Sequence, residues 1–227
     1  MTYSTILLDL DHTLFDSDTS EAAALTAALQ AAGIQNSAQY TKTYQDINIQ
    51  LWAAVERGEL QPQQVRNLRF EKLVAEIGLN ADHMRMADTF VAALAASGDL
   101  YTGAREVIEQ LSERASLAMV TNGLGEVQRS RVERLGIAQY FEAIVVSAEV
   151  GAAKPGSRIF DIVFSELGNP GKKSTLMVGD SLSSDIRGGS SYGIATCWYN
   201  PKGKLAGPDD MITHEIRSLS ELLPLAG

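Results

Sequence analysis

The 227-residue sequence predicts an α/β fold, a Rossmann-like parallel sheet carrying an inserted α-helical cap. Two observations carry that prediction. Beyond Gly103, short β-rich runs alternate with amphipathic helical stretches, the pattern of a parallel sheet covered on both faces. Between the first strand and that region lie four consecutive helical segments, far more chain than a single crossover needs.

The elements follow in order. The first strand is expected over Thr5–Leu10, apolar and ending on acids. Asp18-x-x-Glu21 reads as a capping box that opens an Ala/Leu-rich helix running to Ala32, with Gly33 as its stop. A second helix is expected over Tyr40–Arg57. A third begins with Pro62 in its first turn and buries Leu68, Phe70, Leu73, Val74 and Ile77. A fourth carries Met84, Ala87, Phe90, Val91 and Leu94 and ends near Gly98. These segments make residues 17–98 the cap, and residues 1–16 with 99–227 the α/β core. Further strands are expected at Ser116–Thr121, Ala143–Ser147, Thr175–Gly179 and Ile194–Trp198. Helices fall between them, one presenting Ile159, Phe160, Val163, Phe164 and Leu167 on a single face.

Composition narrows the function classes. With 19 Lys and Arg against 28 Asp and Glu, the formal net charge is -9, which offers no electrostatic footprint for nucleic acid or an anionic membrane. The lone cysteine, Cys197, cannot close an internal disulfide and suits a reducing compartment. Residues 1–16 hold three aspartates and no basic stretch, unlike a signal peptide. The expectation is a cytoplasmic monomer acting on a small molecule.

In parallel sheets ligands bind beyond the carboxyl ends of the strands. The polar residues just past those ends are Asp9, Asp11 and Thr13, then Thr121 and Asn122, then Lys154, then Asp180 with Asp185 a turn further on. This inventory suits phosphate-ester hydrolysis. A carboxylate can attack phosphorus and split one hard step into two. A hard cation held by oxygen ligands offsets the repulsion between that carboxylate and the phosphate, and Mg²⁺ fits the role, with Asp9 and Asp180 as carboxylate ligands. Asp11, two residues from Asp9 in an extended segment, shares its face and can act as acid and base. Thr121, Asn122 and Lys154 would hold the phosphoryl oxygens.

Together these residues resemble the four motifs of the haloacid dehalogenase superfamily of phosphohydrolases, in order along the chain. DxDxT is residues 9–13, followed by Thr121, Lys154 and GDxxxxD at 179–185. The resemblance implies Asp9 as nucleophile and Asp11 as acid/base. It also implies Mg²⁺ held by Asp9, the backbone carbonyl of Asp11, and Asp180, with Thr13 and Asp185 as supports. The inserted helices are similar to that superfamily's C1-type cap. Several longer stretches, TNGLGEVQRSRVERLGIAQYF (121–141) and LMVGDSLSSDIRGG (176–189) among them, look like the bacterial pyrimidine 5'-nucleotidases. That likeness implies a pyrimidine nucleoside 5'-monophosphate as substrate, read by the cap residues Asn48, Trp52 and Arg69. One departure is Ala152-Ala153, where a bulkier residue would be expected first.

Other readings stay open at this point: a sugar-phosphate or phosphoglycolate phosphatase, or a phosphomutase of the same superfamily. A dehalogenase has no use for an acid at position 11 or for a metal site, so Asp11 with Asp180 argues against it. Arg129, Arg131 and Arg134 read as a solvated helix face, Cys197 as inert core, and Gly188-Gly189 as close packing.

Overall fold

The structure, a computed structural model, describes residues 2–227. Its sheet has six parallel strands, β1 (Thr5–Leu8), β2 (Ser116–Thr121), β3 (Ala143–Val146), β4 (Thr175–Gly179), β5 (Ala195–Tyr199) and β6 (His214–Ile216), in the order β3-β2-β1-β4-β5-β6. Strand order reverses between β1 and β4. That switch point opens a crevice at the carboxyl ends of the strands.

The alternation of side chains in β1 sorts the core. Ile6 and Leu8 enter one cluster with Met119 and Val178; Leu7 enters the opposite one with Val120, Val145 and Phe160. All four residues of β1 are buried, as a central parallel strand requires. β1 stops at Leu8 rather than Leu10, because the chain turns beyond it: the N–H groups of Thr13, Leu14 and Phe15 all point to the Leu10 carbonyl. His12 takes a left-handed φ of 60° inside that loop.

Four helices follow: α1 (Ser17–Ala31), α2 (Thr41–Glu56), α3 (Pro62–Glu76) and α4 (His83–Ala96). They share a core of their own, where Tyr44, Phe70 and Phe90 pack with ring centroids 5.2–6.0 Å apart. Gly33 ends α1 as expected, at φ 84°. The start of α1 differs from the sequence reading. Asp16 caps it, accepting from Thr19 N–H and Oγ1, and Glu21 is freed to turn inward. Leu68, Val74 and Ile77 are only half-buried and Met84 is exposed, since α3 and α4 each lie against neighbours on a narrower face than the pattern suggested.

The remaining helices are α5 (Ala104–Ser112), α6 (Gly125–Arg134), α7 (Ser147–Val150), α8 (Ser157–Glu166) and α9 (Arg187–Tyr192), the last preceded by a π-helical turn at Leu182–Ile186. Leu124 and Val127, at the start of α6, join the core of the four helices, so the two layers meet there. Gly188 lies against Phe160 and Pro155, and Gly189 against Met177 and Thr196, which leaves no room for a side chain at either. Cys197 is buried. Among the described residues, no helix is long and apolar enough to cross a membrane.

Candidate active site

The switch point gathers the acids. Asp9, one residue past β1, is buried; its Oδ1 accepts from Lys154 Nζ at 2.6 Å. Lys154 is fully enclosed, donates also to the Val120 carbonyl at 2.6 Å, and pairs with Asp185 Oδ1 at 2.7 Å. Asn122 spends its side-chain amide on this lysine: Oδ1 accepts from Lys154 N–H and Nδ2 donates to the Lys154 carbonyl, both at 2.9 Å. Thr13 ties the two central loops together, its Oγ1 accepting from Asp180 N–H at 3.1 Å. Thr121 ends β2 fully buried, and its hydroxyl accepts from Gln128 at 2.9 Å.

Carboxylate oxygens of Asp9, Asp180 and Asp185 lie within 4.8 Å of one another. Among the described residues, Lys154 alone pairs with these acids, while Lys204 acts on Asp180 from further off, so the cluster carries excess negative charge. The consequences are visible in the pKa values. Burial pushes Asp9 well above the ordinary carboxylate range, Lys154 opposing and Asp185 and Asp180 adding to it. Asp180 is pushed up to about 6, by burial first and by Asp185 next. Burial works against the Lys154 ammonium, but Asp185 and Asp9 outweigh it and raise its pKa. A hard divalent cation fits this all-oxygen set. The third carboxylate of the cluster is thus Asp185, which the motif resemblance had put in a supporting place.

The Asp11 side chain points elsewhere. Its Oδ1 accepts from Ser17 Oγ at 2.5 Å and from Arg131 Nη1 at 2.8 Å, and its Oδ2 from Gln128 Nε2 at 2.5 Å. Burial opposes its charge, but Arg131, Ser17, His12 and Gln128 together hold it below the ordinary range. The solvated-face reading of Arg131 is therefore corrected: the residue is 3% exposed and bound to a site acid. The pattern that could have found it is positional. Leu124, Val127, Gln128, Arg131 and Leu135 follow helical spacing, which puts Gln128 and Arg131 on the apolar, inward face.

From the other side, Asn48, Trp52 and Arg69 all reach the same cleft. Arg69 is almost wholly enclosed between helices, its Nη1 on Tyr44 Oη at 3.0 Å and its guanidinium 5.0 Å from the Phe90 ring. Glu21 Oε1 accepts from Asn48 Nδ2 at 2.9 Å and from Tyr44 Oη at 3.2 Å. Asn48 Oδ1 is buried and has no partner. Trp52 lines the cleft while packing against Leu51, Val55 and Val65. Glu21 and Glu56 also line it, and sequence reasoning missed both, because only the packing of α1 on α4 and of α2 on α3 brings them to the site.

Comparison with known proteins gives the family. The sequence matches the haloacid dehalogenase-like hydrolase family over residues 3–193. It is 34% identical to a pyrimidine 5'-nucleotidase of Streptococcus pneumoniae, covering 98% of this chain and 94% of that one. It is 33% identical to a pyrimidine 5'-nucleotidase of Escherichia coli, with 98% and 97% covered. The crystal structure of a HAD-hydrolase from Bacillus subtilis, bound to magnesium, superposes with a TM-score of 0.89 at 35% identity, covering 98% and 97% of the two chains. Fold, motif order and full-length similarity coincide, and the chain belongs to the family of haloacid dehalogenase-like hydrolases.

Proposed function

We propose that the protein is a Mg²⁺-dependent phosphomonoesterase that works through a phosphoaspartyl intermediate and prefers pyrimidine nucleoside 5'-monophosphates. The observation that carries this reading is one cleft lined by Asp9, Asp11, Lys154 and Asp180 on the sheet side and by Asn48, Trp52 and Arg69 on the helical side. The two nucleotidase relatives support the substrate class, and the magnesium-bound neighbour supports the metal.

Asp9, Asp180 and Asp185 would hold Mg²⁺, the backbone carbonyl of Asp11 contributing as the motif implies. Bound there, the ion would neutralise the acids and polarise a phosphoryl oxygen. Asp9 attacks phosphorus, the bond to the leaving oxygen breaks, and an aspartyl-phosphate forms. Lys154 stays at Asp9 and offsets charge that develops on the phosphoryl group. Thr121 would donate to a phosphoryl oxygen, and Asn122 acts through its grip on Lys154. Asp11, held ionised at rest, is ready to take a proton from the water that attacks the intermediate. A phosphate dianion arriving beside it adds like charge, which raises a carboxylate's pKa and favours the protonated form the departing oxygen requires.

Residues 17–98 act as the cap and read the leaving group. Asn48 lines the cleft with its Nδ2 tied to Glu21, and its amide would meet the imide of uracil or thymine once the base uncovers the buried Oδ1. Trp52 offers a face for the base. A phosphate-release screen over nucleoside monophosphates, sugar phosphates and phosphoglycolate, with and without Mg²⁺, tests the whole reading. UMP and dTMP should lead, EDTA should abolish turnover, and Asp9→Asn should lower kcat by at least ~10⁴-fold without unfolding the protein. Faster turnover of a sugar phosphate would transfer the assignment to that class, and an isomerised product without free phosphate would make the enzyme a mutase.

A further inference from the structure

We infer that Arg131 is a positioning residue that ties the orientation of Asp11 to the seating of α1 and α4, so that the acid/base group and the cap are mechanically linked. The inference rests on the reading of Asp11 as acid/base.

The side chain of Arg131 meets four separate parts of the molecule. Nη1 binds Asp11 Oδ1 at 2.8 Å and Gln128 Oε1 at 3.2 Å. Nη2 donates to Ser20 Oγ on α1 at 3.2 Å, and Nε to the Leu94 carbonyl on α4 at 3.3 Å. The guanidinium lies 4.3 Å from the centroid of Phe15, in the segment that leads into α1. A guanidinium holds its donors in one rigid plane, so these contacts fix one another's directions; a lysine ammonium could not reproduce them.

The same helix holds the return crossing. Arg134 Nη2 donates to the Ser97 and Gly98 carbonyls at 3.0 and 2.6 Å, and the Gly98 backbone lies so close to the Phe15 ring that a Cβ would come within 2.4 Å of it. Both passages of chain between sheet and cap thus lean on α6. Asp11 Oδ1 is shared between a donor from the sheet side, Arg131, and one from the cap side, Ser17 at the first position of α1. A shift of α1 moves Ser17, which binds the carboxylate, together with Ser20, which binds the guanidinium that holds that carboxylate. A bridge that only glued the layers would have no need to end on a reacting group.

The test compares kcat and KM on UMP, or on whichever alkyl monoester the wild type turns over best, with those on p-nitrophenyl phosphate. Arg131→Ala, Arg131→Lys and Ser20→Ala are the variants; Ser20 touches Arg131 but not Asp11. Arg131→Ala should lose ~10²-fold or more in kcat on the alkyl ester, with KM little changed. The loss on the aryl ester, whose leaving group needs little protonation, should be several-fold smaller. Added guanidinium should restore part of the alkyl turnover, and Arg131→Lys should show the same bias despite keeping its charge. Ser20→Ala should show that bias in smaller measure. Should Arg131→Ala fail to fold, the other two variants decide. Equal losses on both esters in Arg131→Lys, or a Ser20→Ala enzyme identical to wild type on both, would overturn the linkage. A wild-type enzyme that releases phosphate from no monoester would instead remove the acid/base reading, and the inference with it.

Discussion

Lys154 pairs with Asp9 and Asp185 while Asp180 has no ion-pair partner among the described residues, and this imbalance makes the metal-free protein sensitive to pH. Asp180 carries a pKa pushed up to about 6 in the fold, against an ordinary value near 4 when unfolded. The folded state therefore binds its proton more tightly. The stability this contributes is fully present below the unfolded pKa and is lost as pH rises through about 6, an effect on the order of 1–3 kcal/mol. Asp180→Asn should consequently raise the Tm of the EDTA-treated protein at pH 7.5 and change it little at pH 4.5. Mg²⁺ should raise the Tm of the wild type at pH 7.5, and the same substitution should erase most of that increase. Thermal melts at the two pH values, with and without Mg²⁺, check both points; a variant less stable than wild type at pH 7.5 in EDTA would refute the repulsion argument. Asp9 and Asp180 could be read in the sequence because each follows an apolar run that fits a buried strand, and Asp185 because it completes the GDxxxxD spacing. Gln128 and Arg131 were less legible because charge alone suggests solvent, and the helical register that turns them inward shows only when Leu124, Val127 and Leu135 are read with them.

Elements matter here mostly at their ends. β4 ends on Gly179, and the π-helical turn that follows brings Asp185 back over it, with Oδ2 accepting from Ser181 N–H at 3.0 Å. A Cβ on Gly179 would lie 2.1 Å from that same oxygen. Neither the strand, paired on both sides, nor Asp185, pinned by Ser181 and Lys154, has room to yield. Gly179→Ala should therefore cost ~1–3 kcal/mol of stability, as overpacking does, and displace a carboxylate of the cation cluster. Calorimetry should find Mg²⁺ binding weakened at least tenfold, whereas an unchanged affinity would mean that Asp185 has no part in holding the ion. Helix and strand positions were legible wherever apolar periodicity was strong, as in β2, β4 and α8. They were not where local chemistry competed: Asp16 and Asp18 can each cap α1, and only the fold selects Asp16. β6 escaped notice because three residues, His214-Glu215-Ile216, are too few to show a period.

At the scale of the molecule, the parallel sheet and the run of four helices after its first strand followed from the succession of elements, since β-rich runs alternating with amphipathic helices leave few architectures open. What the succession could not disclose is which side chains of the four helices look down into the cleft, because that depends on how α1 packs on α4, α4 on α3 and α3 on α2. Trp52 shows the difficulty. Its ring both lines the cleft and packs on Leu51, Val55 and Val65, so the two readings an aromatic invites, core and substrate platform, apply to one residue. The two roles separate in kinetics. If a base stacks on the cleft face of Trp52, the contact exists in the ground state and the transition state alike, so its loss raises KM and leaves kcat nearly intact. Trp52→Ala should raise KM for UMP about tenfold and leave p-nitrophenyl phosphate, which has no base, within about twofold in kcat/KM. Trp52→Phe, which keeps a flat ring, should recover most of the UMP affinity. The packing role predicts instead a lowered Tm with the same fractional loss on every ester. A closed cap sized for one ring also requires UMP to exceed GMP in kcat/KM for the wild type, a preference that Trp52→Ala should narrow. Equal turnover of UMP and GMP by the wild type would leave a phosphatase whose helical layer shields the reaction from water without reading the base.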